Sequence, residues 1–312
     1  MNTLAINRYQ FNFKVATPLH LNFYSGSMLR GAFGHALRHI SCMTNMKDCH
    51  ACPLQSTCPY TLIFEPIAPE QHRMQNFNQV PAPYIIEPPP LGSKNYQIGE
   101  ALSFSMVLMG AAIKQLPLII FAWQRALERG LGKEQAQAKL INVALQTSSQ
   151  NPQMIYQPNI TESVCTPEPL KIEALKQTES LSLKINTPLR IQKKGKIISN
   201  TMTARDFMTA LIRRYYLLVE LYGEQYQAPD FSALVKQADT IKLTPNLKWC
   251  EWTRYSNRQQ QKMTLGGVLG ELTLQGNLTP FLEILNSGQW LHAGNKTSFG
   301  MGHYHIMESI ND

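Results

Sequence analysis

Four thiols stand within residues 42–58: Cys42, Cys49, Cys52 and Cys58, separated by six, two and five residues. Thiolates are soft ligands, and a Cys-x-x-Cys pair with one further cysteine on each side can close round a metal if tight turns separate the ligands. Four thiolates complete a tetrahedral zinc site and leave no open position, so the expected role is structural. A four-sulfur iron–sulfur cluster would use similar residues, and His50 could replace one thiol. The competing reading is buried or disulfide-bonded cysteine. Cys165 and Cys250 stand apart and read as isolated buried thiols. Running into the cluster, His35, Arg38, His39 and Cys42 fall on one helical face, away from a stripe of Leu29, Phe33 and Leu37.

The helix that must present that face is expected over Met28–Cys42, with Ser25 or Ser27 capping its start. Gly31 and Gly34 are poor helix formers and imply a neighbour packed close against them. Before the helix comes an alternating strand, Phe11–Val15, then Thr17-Pro18-Leu19-His20-Leu21. The pattern returns 170 residues later as Leu181–Ile185, then Thr187-Pro188-Leu189-Arg190-Ile191. A second helix follows it over Ala204–Tyr222, with Thr203 and Asp206 as a capping box and Gly223 as a stop. A shared string in a shared strand–loop–helix context points to internal duplication. Further strands are expected at Thr61–Pro66, Tyr84–Glu87, Ala101–Gly110, Lys242–Tyr255, Leu265–Gln275 and Tyr304–Met307. Helical patterns run over Leu118–Arg129, Lys133–Leu145 and Pro280–Leu285. Residues 147–170 are polar and contain proline, the composition of a linker. The fold class is therefore α+β: two similar units, 1–160 and 171–312, each a mostly antiparallel sheet with helices on one face.

At 312 residues and 44% hydrophobic content, each unit can bury a core. The net charge of +8 favours a polyanionic partner, nucleic acid before anionic membrane. The N-terminal residues have no signal-peptide core, and the longest apolar run, Leu116–Trp123, is too short to span a bilayer. A cytoplasmic, reducing location is expected, which favours metal over disulfide at the cysteines. Candidate phosphate contacts are Arg30 and Arg38 on the first helix, and Lys193, Lys194 and Lys196 around Gly195. Arg254, Arg258 and Gln259 lie beside Trp252 and Tyr255, a grouping that could grip phosphates and stack on unpaired bases. Of Arg213 and Arg214, one must face outward from an apolar helix. Gly294, Lys296, Ser298, Gly300 and Gly302 form a glycine-rich segment whose amides could approach a phosphate; the plainer reading is a tight turn.

Three stretches, LRGAFGHALRHISC with its trailing cysteines, WTRYSNRQQQKMTLGGVLGELTL and GNKTSFGMGHYHI, resemble the CRISPR-associated endoribonucleases that process precursor crRNA, members of the RAMP superfamily. The resemblance implies two tandem ferredoxin-like (RRM-like) domains, with the cysteine-rich loop inserted in the first. It implies cleavage within CRISPR repeat RNA by attack of a 2′-hydroxyl, leaving a 2′,3′-cyclic phosphate and a 5′-hydroxyl. No cofactor would be required for the cut, and any zinc or iron–sulfur cluster would be structural. The expected partners are repeat RNA or crRNA and other CRISPR effector subunits, with no membrane and no small-molecule cofactor. His35 matches the family's early-helix histidine; His39 lies one turn on, and His20 and Tyr24 follow the first strand. The GNKTSFGMG segment resembles the family's glycine-rich loop. An inactive RAMP-type subunit that only holds crRNA is the alternative, and a redox protein built on the cysteines is a third reading.

Overall fold

Alternating burial over Ile6–Val15 makes the first strand, β1: Tyr9, Phe11, Phe13 and Val15 point inward while Lys14 is exposed. The computed structural model describes residues 3–68, 80–147, 152–158, 168–170, 172–193, 195–199, 201–256 and 261–307, the side chains of 254–256 and 261–262 excepted. The chain divides into two units, Ala5–Leu170, and Lys171–Asp312 together with Met1–Leu4.

In the first unit β1 is followed by β2 (Leu19–Leu21), α1 (Gly26–Ser41), α2 (Pro59–Ile63), β3 (Tyr84–Glu87), β4 (Lys94–Tyr96), β5 (Ala101–Met109), α3 (Leu116–Arg129), β6 (Ala138–Gln146) and β7 (Gln153–Tyr156). Five strands form one antiparallel sheet in the order β3-β5-β1-β6-β7, and β2 pairs with β4. An aromatic cluster holds α1 and α3 to this sheet. Trp123 of α3 stacks on Phe33 of α1 at 5.1 Å between centroids and meets Phe104 of β5 at 4.5 Å. Phe104 in turn stacks on Phe11 and Phe13 at 5.7 and 5.6 Å. Such buried rings each contribute on the order of 2–3 kcal/mol by area and fix the helix that carries His35.

The second unit runs β8 (Ser180–Leu189), β9 (Gln192–Lys193), β10 (Lys196–Ile197), α4 (Ala204–Tyr222), α5 (Phe231–Ala238), β11 (Lys242–Ser256), β12 (Gln261–Gln275), α6 (Leu282–Leu291) and β13 (Tyr304–Ile306). Its main sheet has the order β11-β12-β8-β13. The Thr203–Asp206 capping box is formed, and Gly223 ends α4. Leaving out the small additions, both units follow β-α-β-β-α-β, with the first strand between the third and the last.

The repeated string occupies equivalent places. Thr17 donates its amide to the Gln137 carbonyl, 3.2 Å, and its Oγ1 accepts the Gln137 amide, 2.8 Å, just before β6. In the second unit Thr187 makes the same pair of bonds to His303, 3.3 and 2.9 Å, just before β13. One residue type thus pins the first strand to the last in each unit.

Three local expectations fail. Residues 147–170 are not linker throughout, since Gln153–Tyr156 pairs with β6 as the edge strand β7. Thr61–Pro66 is not a strand: Pro59 sits at the first helical turn, where its missing N–H costs nothing, and starts α2. Lys133–Leu145 is not helical. Ala138, Leu140 and Val143 face the core of β6 while Lys139 and Ile141 face out, and pairing with β1 overrides the helix-forming composition. Ser25 holds the N-cap position of α1 but makes no side-chain cap bond there.

Candidate functional site

His35 lies in the third turn of α1 and is exposed; among the described residues nothing bonds its imidazole. One turn earlier Gly31 is also exposed, and a side chain there would meet nothing within 4 Å, so the helix surface beside His35 is bare. Among the described residues nothing packs against Gly31 as expected. Such packing occurs at Gly34, where the Phe64 ring fills the place of a Cβ.

The other residues of the face are engaged. His39 is exposed, but Arg129 at the end of α3 donates Nη2 to its Nε2 at 2.9 Å, which leaves that nitrogen an acceptor with no proton of its own. Arg38 donates to the carbonyls of Met46 and Lys47 at 2.7 and 3.0 Å, and its guanidinium lies 5.7 Å from the Tyr60 ring centre. Arg30 lies over Phe64 at 4.2 Å. These two arginines therefore brace the segment after α1. Tyr24 is buried, and His20 is exposed with Nδ1 2.6 Å from Asn95 Oδ1. Among the described histidine and tyrosine candidates of this unit, His20, Tyr24, His35 and His39, His35 is the one presented unengaged.

The four cysteines are half-buried free thiols lining one cavity between the end of α1 and the start of α2. Among the described residues no three of the four sulfurs lie within 4.8 Å of one another. Thr44 Oγ1 is 3.4 Å from Cys52 Sγ. Burial pushes the Cys49 thiol up. At Cys42 the upward pull of desolvation is outweighed by hydrogen bonds from Asn45 and Thr44 and by Arg38, so its thiol is held low. His50 is exposed, its amide bonded to Asp48 Oδ1. Cys250 is half-buried, and Cys165 lies outside the described residues.

In the second unit the glycine-rich segment is a tightly bonded turn. Gly294, Gly300 and Gly302 have φ of +76°, +85° and +74°. A Cβ on Gly302 would collide with the Ala293 carbonyl, and one on Gly294 with the Arg190 carbonyl. The amides of Asn295, Phe299, Gly300 and Gly302 donate to Arg190, Lys296, Thr297 and Pro188. These four amides are thus spent inside the protein and are not open to a phosphate. What the turn offers outward is Asn295 and Lys296, both exposed, with Ser298 half-buried. Beneath it, Arg214 donates Nε to the Leu291 and His292 carbonyls, 2.6 and 3.1 Å, and burial pushes its pKa down to about 9. Arg213 faces out.

Other basic candidates divide similarly. Lys193 is paired with Asp206 at 2.7 Å, so its charge is largely used at the start of α4. Lys194 and Arg258, with Gln259, lie outside the described residues, as do the side chains of Arg254 and Tyr255. Trp252 is buried and not available for stacking. Trp249, which sequence reasoning passed over, is 47% exposed, and its indole covers Gly266 on the neighbouring strand. The signal was in the sequence: a large ring on one strand and a Gly-Gly pair on the next.

Residues 4–169 match the family AF_1859_N, an N-terminal domain, and residues 183–304 match CRISPR-associated endoribonuclease Cas6. An uncharacterized protein of Archaeoglobus fulgidus is 23% identical over 92% of this chain and 93% of its own. Among solved structures, a Cas6 product complex superposes with a TM-score of 0.58 at 14% identity, covering 97% of this chain and 99% of that one. Thermus thermophilus Cas6 gives 0.55 at 13%, with the same coverage. A partial Cas6-RT-Cas1–Cas2 complex gives 0.55 at 15%, covering 99% of this chain and 47% of the longer one. With residues 4–169 matched, the chain belongs to the AF_1859_N family, and its second half carries the match to CRISPR-associated endoribonuclease Cas6.

Proposed function

We propose that this endoribonuclease cuts within CRISPR repeat RNA, with His35 as the general base and no metal ion in the reaction. The 2′-oxygen upstream of the break attacks phosphorus as its proton passes to the imidazole. The bond to the 5′-oxygen breaks, leaving a 2′,3′-cyclic phosphate, and a proton from solvent completes the 5′-hydroxyl. The observation that carries this reading is His35 itself: an exposed, unbonded imidazole on a rigid helix, beside the bare surface of Gly31. His39 acts at this face through the guanidinium it holds. Arg129 stands on its Nε2, one turn from His35, where a cation would stabilise the charge of the phosphorane. The shared β-α-β-β-α-β order supports reading both units as ferredoxin-like domains. The net charge of +8 supports repeat RNA as the partner, and other CRISPR proteins join the list on the analogy of the Cas6-RT-Cas1–Cas2 complex. Among the described residues no helix is long and apolar enough to cross a membrane.

The rival, a subunit that holds crRNA without cutting it, draws on one observation: Tyr24 is buried and His39 is bonded, so acid catalysis has no evident side chain. A repeat RNA carrying a single 2′-deoxy nucleotide at the cut separates the two. In excess chelator, the all-ribose RNA should give one product pair ending in a cyclic phosphate and the deoxy RNA none. Tight binding of both without any cut would establish the rival.

A further inference from the structure

The segment between α1 and α2 has no core of its own. Met43 is 83% exposed, and Met46 and Leu54 also face solvent. Its backbone makes only short turns, such as Cys52 to the Cys49 carbonyl, Gln55 to that of Cys52 and Cys58 to that of Leu54. A long irregular segment inside a compact unit needs some other anchor. Its side chains converge on one cavity, where Met43, Thr44, Met46, Leu54 and Gln55 stand round the thiols of Cys42, Cys49, Cys52 and Cys58. We propose that these four side chains hold a thiolate-ligated metal centre that ties the last turn of α1 to the first turn of α2.

The ligand chemistry selects a soft transition metal, and four thiolates leave it no open position, so the role is mechanical. Two sources share that chemistry, a single zinc ion and an iron–sulfur cluster. Zinc–sulfur bonds of about 2.3 Å would draw the sulfurs closer than they stand, whereas a cluster spans a wider set. Arg38 supports either. It donates to two carbonyls of the segment, and its charge offsets that of the thiolates. Because Arg38 lies one turn from both Gly34 and Cys42 on the helix carrying His35, the anchor would steady the end of that helix. The inference does not rest on the RNA reading, since it is tested on the protein alone.

The full chain, purified under reducing and anaerobic conditions without chelator, is analysed for zinc, iron and acid-labile sulfide, and its absorption spectrum is recorded. A colourless protein with about one zinc per chain, or a brown one with about four irons and matching sulfide, supports the centre and identifies it. The double variant Cys49→Ser/Cys52→Ser should lose the metal and melt several degrees lower. Should that variant not fold, thiol titration of the wild type decides. Cys42, Cys49, Cys52 and Cys58 should resist a thiol reagent until the metal is stripped. A folded, metal-free wild type whose four thiols react at once, or one that contains a disulfide among them, overturns the proposal.

Discussion

His35 is available because its neighbours on the helix are occupied or missing: Gly31 offers no side chain, and Arg38 and His39 are bonded elsewhere. That availability was only half legible in the sequence. Spacing placed His35, Arg38 and His39 on one face, but the partners that remove Arg38 and His39 come from Met46, Lys47 and Arg129, which no periodicity connects to them. The glycine-rich turn shows the same limit. A string of glycines announces unusual backbone, not whether a phosphate or another carbonyl lies against it. At Gly302 it is the Ala293 carbonyl, so Gly302→Ala should cost about 2 kcal/mol or more in a denaturant titration. Lys296→Ala is the companion variant, since Lys296 is exposed on the same turn. It should weaken RNA binding, and the slope of log affinity against log salt should fall by roughly one if Lys296 meets a phosphate.

Among elements, α1 carries His35, and two glycines in it serve different ends. Gly34 admits the Phe64 ring, so Gly34→Ala should cost on the order of 1–3 kcal/mol through overpacking. Gly31 touches nothing, so Gly31→Ala should raise stability by about 0.5–1 kcal/mol, and any loss of cleavage it caused would locate the RNA on that surface. Thermal melts of both variants check the contrast. The start of α4 was read correctly from Thr203 and Asp206, because a capping box is a local pattern. Burial raises the Asp206 carboxyl, yet Lys193 and Thr203 outweigh it and hold the group below the usual carboxylate range. With the folded pKa depressed, this contribution is complete above the unfolded value and disappears as pH falls through the lower folded one. Asp206→Asn should therefore cost about 1 kcal/mol near neutral pH and progressively less in acid, as read by denaturant midpoints. By contrast, α2 and β6 were misread, since Pro59 at a first turn and a register against β1 are set by tertiary context.

For the whole molecule, the repeat at an offset of 170 residues was the most informative feature of the sequence. It reappears as equal strand order in both units and as equal threonine bonds, Thr17 to Gln137 and Thr187 to His303. Strand order itself could not be read, because pairing partners lie far apart in the chain and alternation reports only which face is buried. The basic balance was legible as a total, but Lys193, Arg38, Arg30 and Arg214 each spend their charge inside the protein. Net charge therefore overstates what any one surface can offer RNA. The central claim is that a free imidazole at His35 does the proton transfer while other groups bind. Its most direct test is single-turnover cleavage of a labelled repeat RNA in excess chelator, wild type beside His35→Ala, with affinity measured on the same RNA. The account predicts that the variant loses cleavage by a factor of about a hundred or more while binding stays within a few-fold. Cleavage by the variant at the wild-type rate would contradict it.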